Sequence, residues 1–346
     1  MSTSRLRRIS AVTAGLALAA GAVTGAASAA ERQAIPVTNA EELTQALAQA
    51  KPGDTIELAP GGYDGAFFTT ASGTESAPIT LTGPKEALLS NTQDGCDPNI
   101  PDGRDVTYCG YGLHLNGANH WNLKGFTVEN SAKGIVLDRS SNNVIDDVEV
   151  RNTRDEGVHF RATSSDNVIQ HSFVHDTGTE QPQYGEGVYF GSAESNWDKY
   201  GDTPGQPDRS DRNQALDNRL GPNVRAEHVD IKEGTTDGQV LRNSFDGQGM
   251  TGENSAESWV SAKGNNYQIS DNRGVKSFEH GFKVIQRLDG WGCRNVFHNN
   301  HADVQAAGYG FQLPHDKRCG DQRNEVYRDN TVLNAGAGFS DVEPIG

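Results

Sequence analysis

The sequence predicts an all-β protein: a right-handed parallel β-helix, a solenoid whose open end is covered by an amino-terminal α-helix. Three observations carry the prediction. The stretches GLHLNG at 112, GIVLDR at 134, GVHFRA at 157, GVYFGS at 187, HVDIKE at 228, WVSAKG at 259, GFKVIQ at 281 and GFQLPH at 310 share the form Gly-apolar-x-apolar-x, with the glycine replaced in two of them. The first steps are 22 and 23 residues, and insertions lengthen the later ones, a period that belongs to stacked repeats. Between them recur Asn-x-x-apolar turns such as SSNNVIDDVEV, SSDNVIQHSFV and CRNVFHNN. Leucine-rich repeats share the period but need a Leu ladder; here Val, Ile and Phe hold the apolar positions and favour strands. About eight or nine coils are expected, each strand lying about 4.8 Å above the last.

At the amino terminus, Arg5, Arg7 and Arg8 before an apolar run, ending at Ala27-Ser28-Ala29, have the pattern of an export leader over residues 1–29. The mature chain, 30–346, is then one β-helix domain, secreted and extracellular. TNAEELTQALAQA predicts the capping helix over 39–50, with Asn39 as cap, Glu42 completing a capping box, and Leu43, Ala46, Leu47 and Ala50 on one stripe. TIELAPGGY alternates as a strand. Residues 192–218, rich in Gly, Pro and charge, predict a loop insertion on the rim of whatever site the solenoid carries. The spacing of Cys96 with Cys109 and of Cys293 with Cys319 suggests two local disulfides, although four cysteines allow three pairings. Without the leader's three arginines the formal charge moves from −16 to −19, which argues against nucleic acid as a partner. The mature chain lacks an apolar run long enough to span a membrane; a monomer is expected.

Parallel stacking turns sequence columns into spatial ladders. One outward column reads His114, Val136, His159, Tyr189, Asp230, Ser261, Lys283, Gln312; the next reads Asn116, Asp138, Arg161, Gly191, Lys232, Lys263, Ile285, Pro314. The middle coils thus gather His159, Arg161, Tyr189, Asp230, Lys232, Lys263 and Lys283 into a basic patch on an acidic protein. Lys232 and Lys263 fall on adjacent coils, where two ammonium groups would depress each other's pKa and make one a base. A third column, two places before the first apolar residue, carries Glu156, Glu186 and Glu227. Stacked carboxylates repel unless protonated, paired or bridged, and oxygen-only ligation points to Ca²⁺. Strict alternation aims this column inward; Gly157 and Gly187 allow a bend that turns it out. Trp259 is a candidate sugar-stacking platform, and Lys283 and His280 are further candidate substrate contacts.

AEELTQALAQAKPGDTIELAPGGYDGAFFTTASGTESAPITLTG, the repeated coils, EHVDIKEGTTDGQVLRNSFDGQG and WVSAKGNNYQISDN together resemble polysaccharide lyases of the alginate lyase and chondroitinase B type, family six, in the pectate-lyase-like β-helix superfamily. The resemblance implies Lys232 as the catalytic base and Glu227 as a calcium glutamate. It puts Lys263 where that family has arginine, and Glu233 where it has a small residue.

The expectation is a lyase that cleaves a uronate-containing, anionic polysaccharide by β-elimination. Ca²⁺ on Glu156, Glu186 and Glu227, with Arg161 or Lys263, would neutralise the substrate carboxylate; Lys232 would take the proton; Tyr189, His159 or water would give one back. A glycoside hydrolase drawing two carboxyl groups from Glu156, Asp230, Glu233 and Asp138 stays open. So do a non-catalytic glycan-binding solenoid and an epimerase.

Overall fold

The computed structural model describes Met1 and residues 34–92, 110–314 and 317–346, and the β-helix lies within the unit Arg32–Gly346. The expected leader, Cys96 and Cys109 lie outside the described residues. The chain winds through three parallel sheets of eleven, ten and ten strands, each coil laying one strand on each sheet. The functional columns lie on the sheet that runs from Phe67–Thr69 to Gly338–Ser340, which forms the floor of the site. Eight of its ten strands are those read from the sequence. Phe67–Thr69 and Gly338–Ser340 add one at each end, where Gly-apolar-x-apolar is not preserved.

The register matches the columns rung by rung. Val136 pairs with His159, His159 with Tyr189, Tyr189 with Asp230, Asp230 with Ser261, and Ser261 with Lys283. Inward residues form their own ladders: Ile135, Val158, Val188, Val229, Val260, Phe282 and Phe311, all fully buried. Such burial contributes about 1.5–3 kcal/mol per large apolar side chain. Aromatics stack where they fall on successive rungs, with Phe160 and Phe190 at 5.6 Å and Phe282 and Phe311 at 5.1 Å.

The Asn-rich turns are side-chain ladders. Asn218, Asn243, Asn272, Asn300 and Asn330 stack in line, each Oδ1 from Asn243 onward accepting the backbone N–H of the Asn on the preceding coil at 2.8–3.1 Å. Asn143, Asn167 and Asn213 do the same at another corner. A buried amide satisfies donor and acceptor at once, which an apolar residue in a tight turn cannot do.

The helix spans Ala40–Gln49 and buries Leu43, Ala46 and Leu47 over the end of the core. Asn39 Oδ1 accepts from Glu42 N at 3.0 Å, while Glu42 Oε2 reaches back to Thr38 N at 2.7 Å. The long insertion is shorter than expected: Gln214–Leu216 is a strand of the eleven-stranded sheet with Ala215 in the core. Its Gly/Pro and charged composition masked one short rung. Cys293 and Cys319 form a disulfide with Cα atoms 5.6 Å apart.

Candidate active site

The floor is bounded by two walls, and chain order says which is which. Connections entering the floor strands supply Asp155, Gln181, Tyr184, Asn254 and Ser255; connections leaving them supply Ser192, Ala193, Ser195, Asn196, Tyr200, Ile285 and Arg287. Between them lies a groove of about 760 Å³ whose floor carries His159, Arg161, Tyr189, Asp230, Lys232 and Lys263. Ser192 to Tyr200 come from the insertion, which is tied down where Glu194 N donates to Glu233 Oε1 at 2.8 Å.

The glutamate column is continuous with residues that the sequence columns did not single out. Two places before the first apolar residue, successive coils place Tyr111, Lys133, Glu156, Glu186 and Glu227, and all five line the groove. Extending the same column by two coils toward the amino terminus is enough to find Tyr111 and Lys133. The glutamates face the groove as expected, and the glycines beside them are held to close approach: a Cβ on Gly157 would lie 2.6 Å from Val174 Cγ1 and 2.7 Å from Gly187 O. His228, in the glycine place of the third coil, is buried and turned toward Asp246 O at 2.9 Å.

Charges in the groove are paired, both along a strand and between neighbouring rungs. Asp230 sits between two ammonium groups, with Oδ2 2.6 Å from Lys232 Nζ and Oδ1 2.5 Å from Lys263 Nζ. Lys263 also donates to Ser261 Oγ at 3.0 Å and stands 3.8 Å from Glu227. This overturns the expected mutual depression of the lysines. Burial works to lower the Lys232 pKa, but the acidic groups around it, Asp230 foremost with Tyr189, Glu186 and Glu227, together outweigh it and hold the group well above the ordinary lysine range. Lys133 binds Glu156; burial opposes ionisation of Glu156, yet Lys133 and then His159 keep its pKa well below the usual value. Burial, followed by the charges of Glu156 and Glu227, pushes Glu186 well above the carboxylate range. Burial and then Asp230 push Glu227 up to about 7.

The rings lie beside these charges. Tyr189 stacks on His159 with centroids 4.1 Å apart, and Lys232 Nζ lies 4.9 Å from the Tyr189 centroid. Burial holds the Tyr189 phenol well above its ordinary pKa. His159 Nε2 faces Gly191 O at 2.8 Å, and burial lowers its pKa to about 4, so the ring is neutral near pH 7 with its proton on Nε2. At the other end, Arg161 donates to Asp138 Oδ1 at 2.7 Å and to Tyr111 Oη at 3.1 Å, and lies 4.3 Å from the Tyr200 centroid.

Several expected residues fall elsewhere. Trp259 is fully buried against Phe245 and Phe282; it occupies the inward glycine position of its rung and cannot stack on a sugar. His280 accepts from Tyr309 N at 3.0 Å, and Lys283 pairs with Glu257; neither lines the groove. Asp138 and Glu233, two of the four carboxyls open to a hydrolase, are fully buried and engaged by Arg161 and by Glu194 N.

The acidic groups able to hold a metal are not the three expected. Oxygens of Glu186, Glu227 and Asp230 lie within 4.8 Å of one another, whereas Glu156 is taken by Lys133. Glu186 Oε2 is buried without a hydrogen-bond partner, as a ligand atom would be. The donor set nevertheless does not fit a resident Ca²⁺, which takes 6–8 oxygens. Both Asp230 oxygens are engaged by lysines, so a cation there would sit against two ammonium groups. Three lysines, on Glu156 and Asp230, hold the place a metal would take.

Fold and groove together define a right-handed β-helix of the kind found among polysaccharide lyases. The chain belongs to the Pel9A-like right-handed β-helix family, whose model matches residues 21–195. It is similar to the alginate lyase from Paenibacillus sp. str. FPU-7, with 35% identity over 89% of this chain and 97% of that one and a TM-score of 0.77. Pectate lyase Pel9A, at 16% identity over 86% of this chain and 72% of its own, has a TM-score of 0.51. The lacto-N-biosidase of Eubacterium ramulus, at 12% identity over 89% and 64%, also has 0.51. The last two share the fold. A search of curated proteins found no match.

Proposed function

We propose that this protein is an exported polysaccharide lyase that cleaves a uronate-containing glycan by β-elimination, with alginate as the first substrate to try. The observation that carries the reading is the lysine pair on Asp230 beside a protonated Tyr189, at the floor of an open groove. The 35% identity to an alginate lyase over most of both chains supports the substrate class, and the leader pattern with the Cys293–Cys319 disulfide supports export.

The reaction takes the proton from C5 of a uronate, breaks the C4–O bond and leaves a C4=C5 double bond. Lys232 and Lys263, helped by Arg161, neutralise the carboxylate and so acidify C5–H. Tyr189, which keeps its phenolic proton, gives it to the departing oxygen. The proton acceptor is the group able to shed its proton near neutrality, Glu227, with a pKa of about 7. Calcium, implied by the resemblance, has no step in this scheme. Lys232 as base is the second reading, favoured by its place over Tyr189; it requires Asp230, 2.6 Å away, to receive the lysine's proton first.

Substitutions at Lys232 separate the two. With Lys232 acting by charge, Lys232→Arg keeps a measurable share of the unsaturated product while Lys232→Met loses at least about a hundredfold. Equal loss in both, with Glu227→Gln still active, would hand the base to Lys232. Glycoside hydrolysis would instead release reducing ends without ultraviolet absorbance.

A further inference from the structure

Phe278 and Tyr184 are the most exposed Phe, Tyr or Trp side chains among the described residues, each at 48%. Both lie in connections that enter floor strands, hence on the same wall. Tyr184 borders the groove, in the short turn Pro182–Tyr184. That turn meets the one at Glu253–Ser255, where Asn254 Nδ2 donates to Gln183 O at 3.4 Å. Gly252, at φ +72°, lies under the Phe278 ring: a Cβ there would come within 2.2 Å of Phe278 Cε1. The wall therefore runs from Tyr184 past Asn254 to Phe278, along the axis of the coil stack. Across the rung His280–Val284 from Phe278, Arg287 is exposed and lines the groove, and Lys283 stands on the floor between them.

We propose that the groove continues past the lysines into a distal sugar-binding subsite, in which the Phe278 ring stacks on a sugar face and Arg287 takes the carboxylate of a uronate unit. One exposed aromatic is ordinary on a protein surface. Two on one wall, leading away from the centre with the exposed Arg287 opposite, suit a flat ligand with one apolar face and one anionic edge. Gly252 matters because any side chain would lift the ring off its seat. The subsite rests on the groove being a uronate-glycan site.

The test compares a trimer and a hexamer of uronic acid prepared from alginate, by calorimetric binding and by release of unsaturated ends. Phe278→Ala is expected to weaken hexamer binding about tenfold and leave the trimer unchanged; Phe278→Trp restores it, and Arg287→Ala weakens the hexamer and flattens its salt dependence. Half its surface already in solvent, Phe278 should be replaceable without a shift in thermal midpoint. Hexamer binding as tight in Phe278→Ala as in wild type, or no binding of either oligomer by wild type, overturns the subsite. Length-dependent loss of binding in a wild type that forms no unsaturated ends would keep the subsite and sink the lyase.

Discussion

At the scale of single residues, the site is a set of charges whose protonation is fixed by neighbours on the same and adjacent rungs. Asp230 is the pivot. Removing it as Asp230→Asn takes the anion from two buried lysines, and activity should fall by more than about a hundredfold, with a matching loss of stability; unaltered turnover would contradict the pairing. As the base, Glu227 must be deprotonated to work, so activity should rise with pH through about 7, and Glu227→Gln should lose activity at every pH; a flat profile or an active Glu227→Gln would contradict it. His228 provides a check away from the groove. Burial lowers its pKa to about 4 from 6.5, so between those values the unfolded chain binds the proton and the folded chain does not. Its contribution is intact above pH 6.5 and is lost as pH falls toward 4. Glu227, raised from 4.5 to about 7, acts oppositely in an overlapping window. The thermal midpoint of His228→Gln minus that of wild type isolates the histidine, and it should rise on going from pH 7 to 4.5; a flat difference would refute it. The sequence columns named Lys232, Lys263, Asp230, Tyr189 and the glutamates. They could not reveal that Asp230 lies between the lysines, because side chains two places apart on a strand or one rung apart can meet or splay, and only packing decides.

At the scale of elements, the Asn ladders fix coil on coil. Asn243 accepts from Asn218 N at 2.9 Å and donates to Ala215 O at 2.8 Å while buried. Asn243→Ala leaves those groups unpaired, at about 1–3 kcal/mol each, and urea unfolding should record a loss in that range; under about 0.5 kcal/mol would contradict the ladder's role. Asn-x-x-apolar was legible because the amide must sit at one fixed offset from each strand. The capping helix was legible through Asn39 and Glu42. Gln214–Leu216 was not, because a three-residue rung beside a polar insertion has too few apolar positions to show a period. Trp259 is deceptive for a related reason: an aromatic suits sugar stacking, yet Trp259 stands in the glycine column, which points into the core.

At the scale of the whole molecule, an acidic protein of formal charge −16 presents a groove whose floor is cationic. That local reversal is what lets an anionic glycan settle there. The solenoid builds it with little extra structure, since each coil contributes one side chain per column to a site no single repeat could form. The same geometry explains how lysines can stand where a metal was expected: Lys133 reaches Glu156 from the preceding coil, Lys263 reaches Asp230 from the following one, and Lys232 meets Asp230 along its own strand. Activity should therefore survive exhaustive chelation, and loss of activity restored by Ca²⁺ would refute that part. The lyase reading meets its most direct test in the ultraviolet absorbance of unsaturated ends when the protein meets alginate, pectate, glucuronan or glycosaminoglycans in the presence of chelator. Growing absorbance is expected with at least one of them, abolished in Lys232→Met. No absorbance from any, or reducing ends released without it, would contradict a lyase.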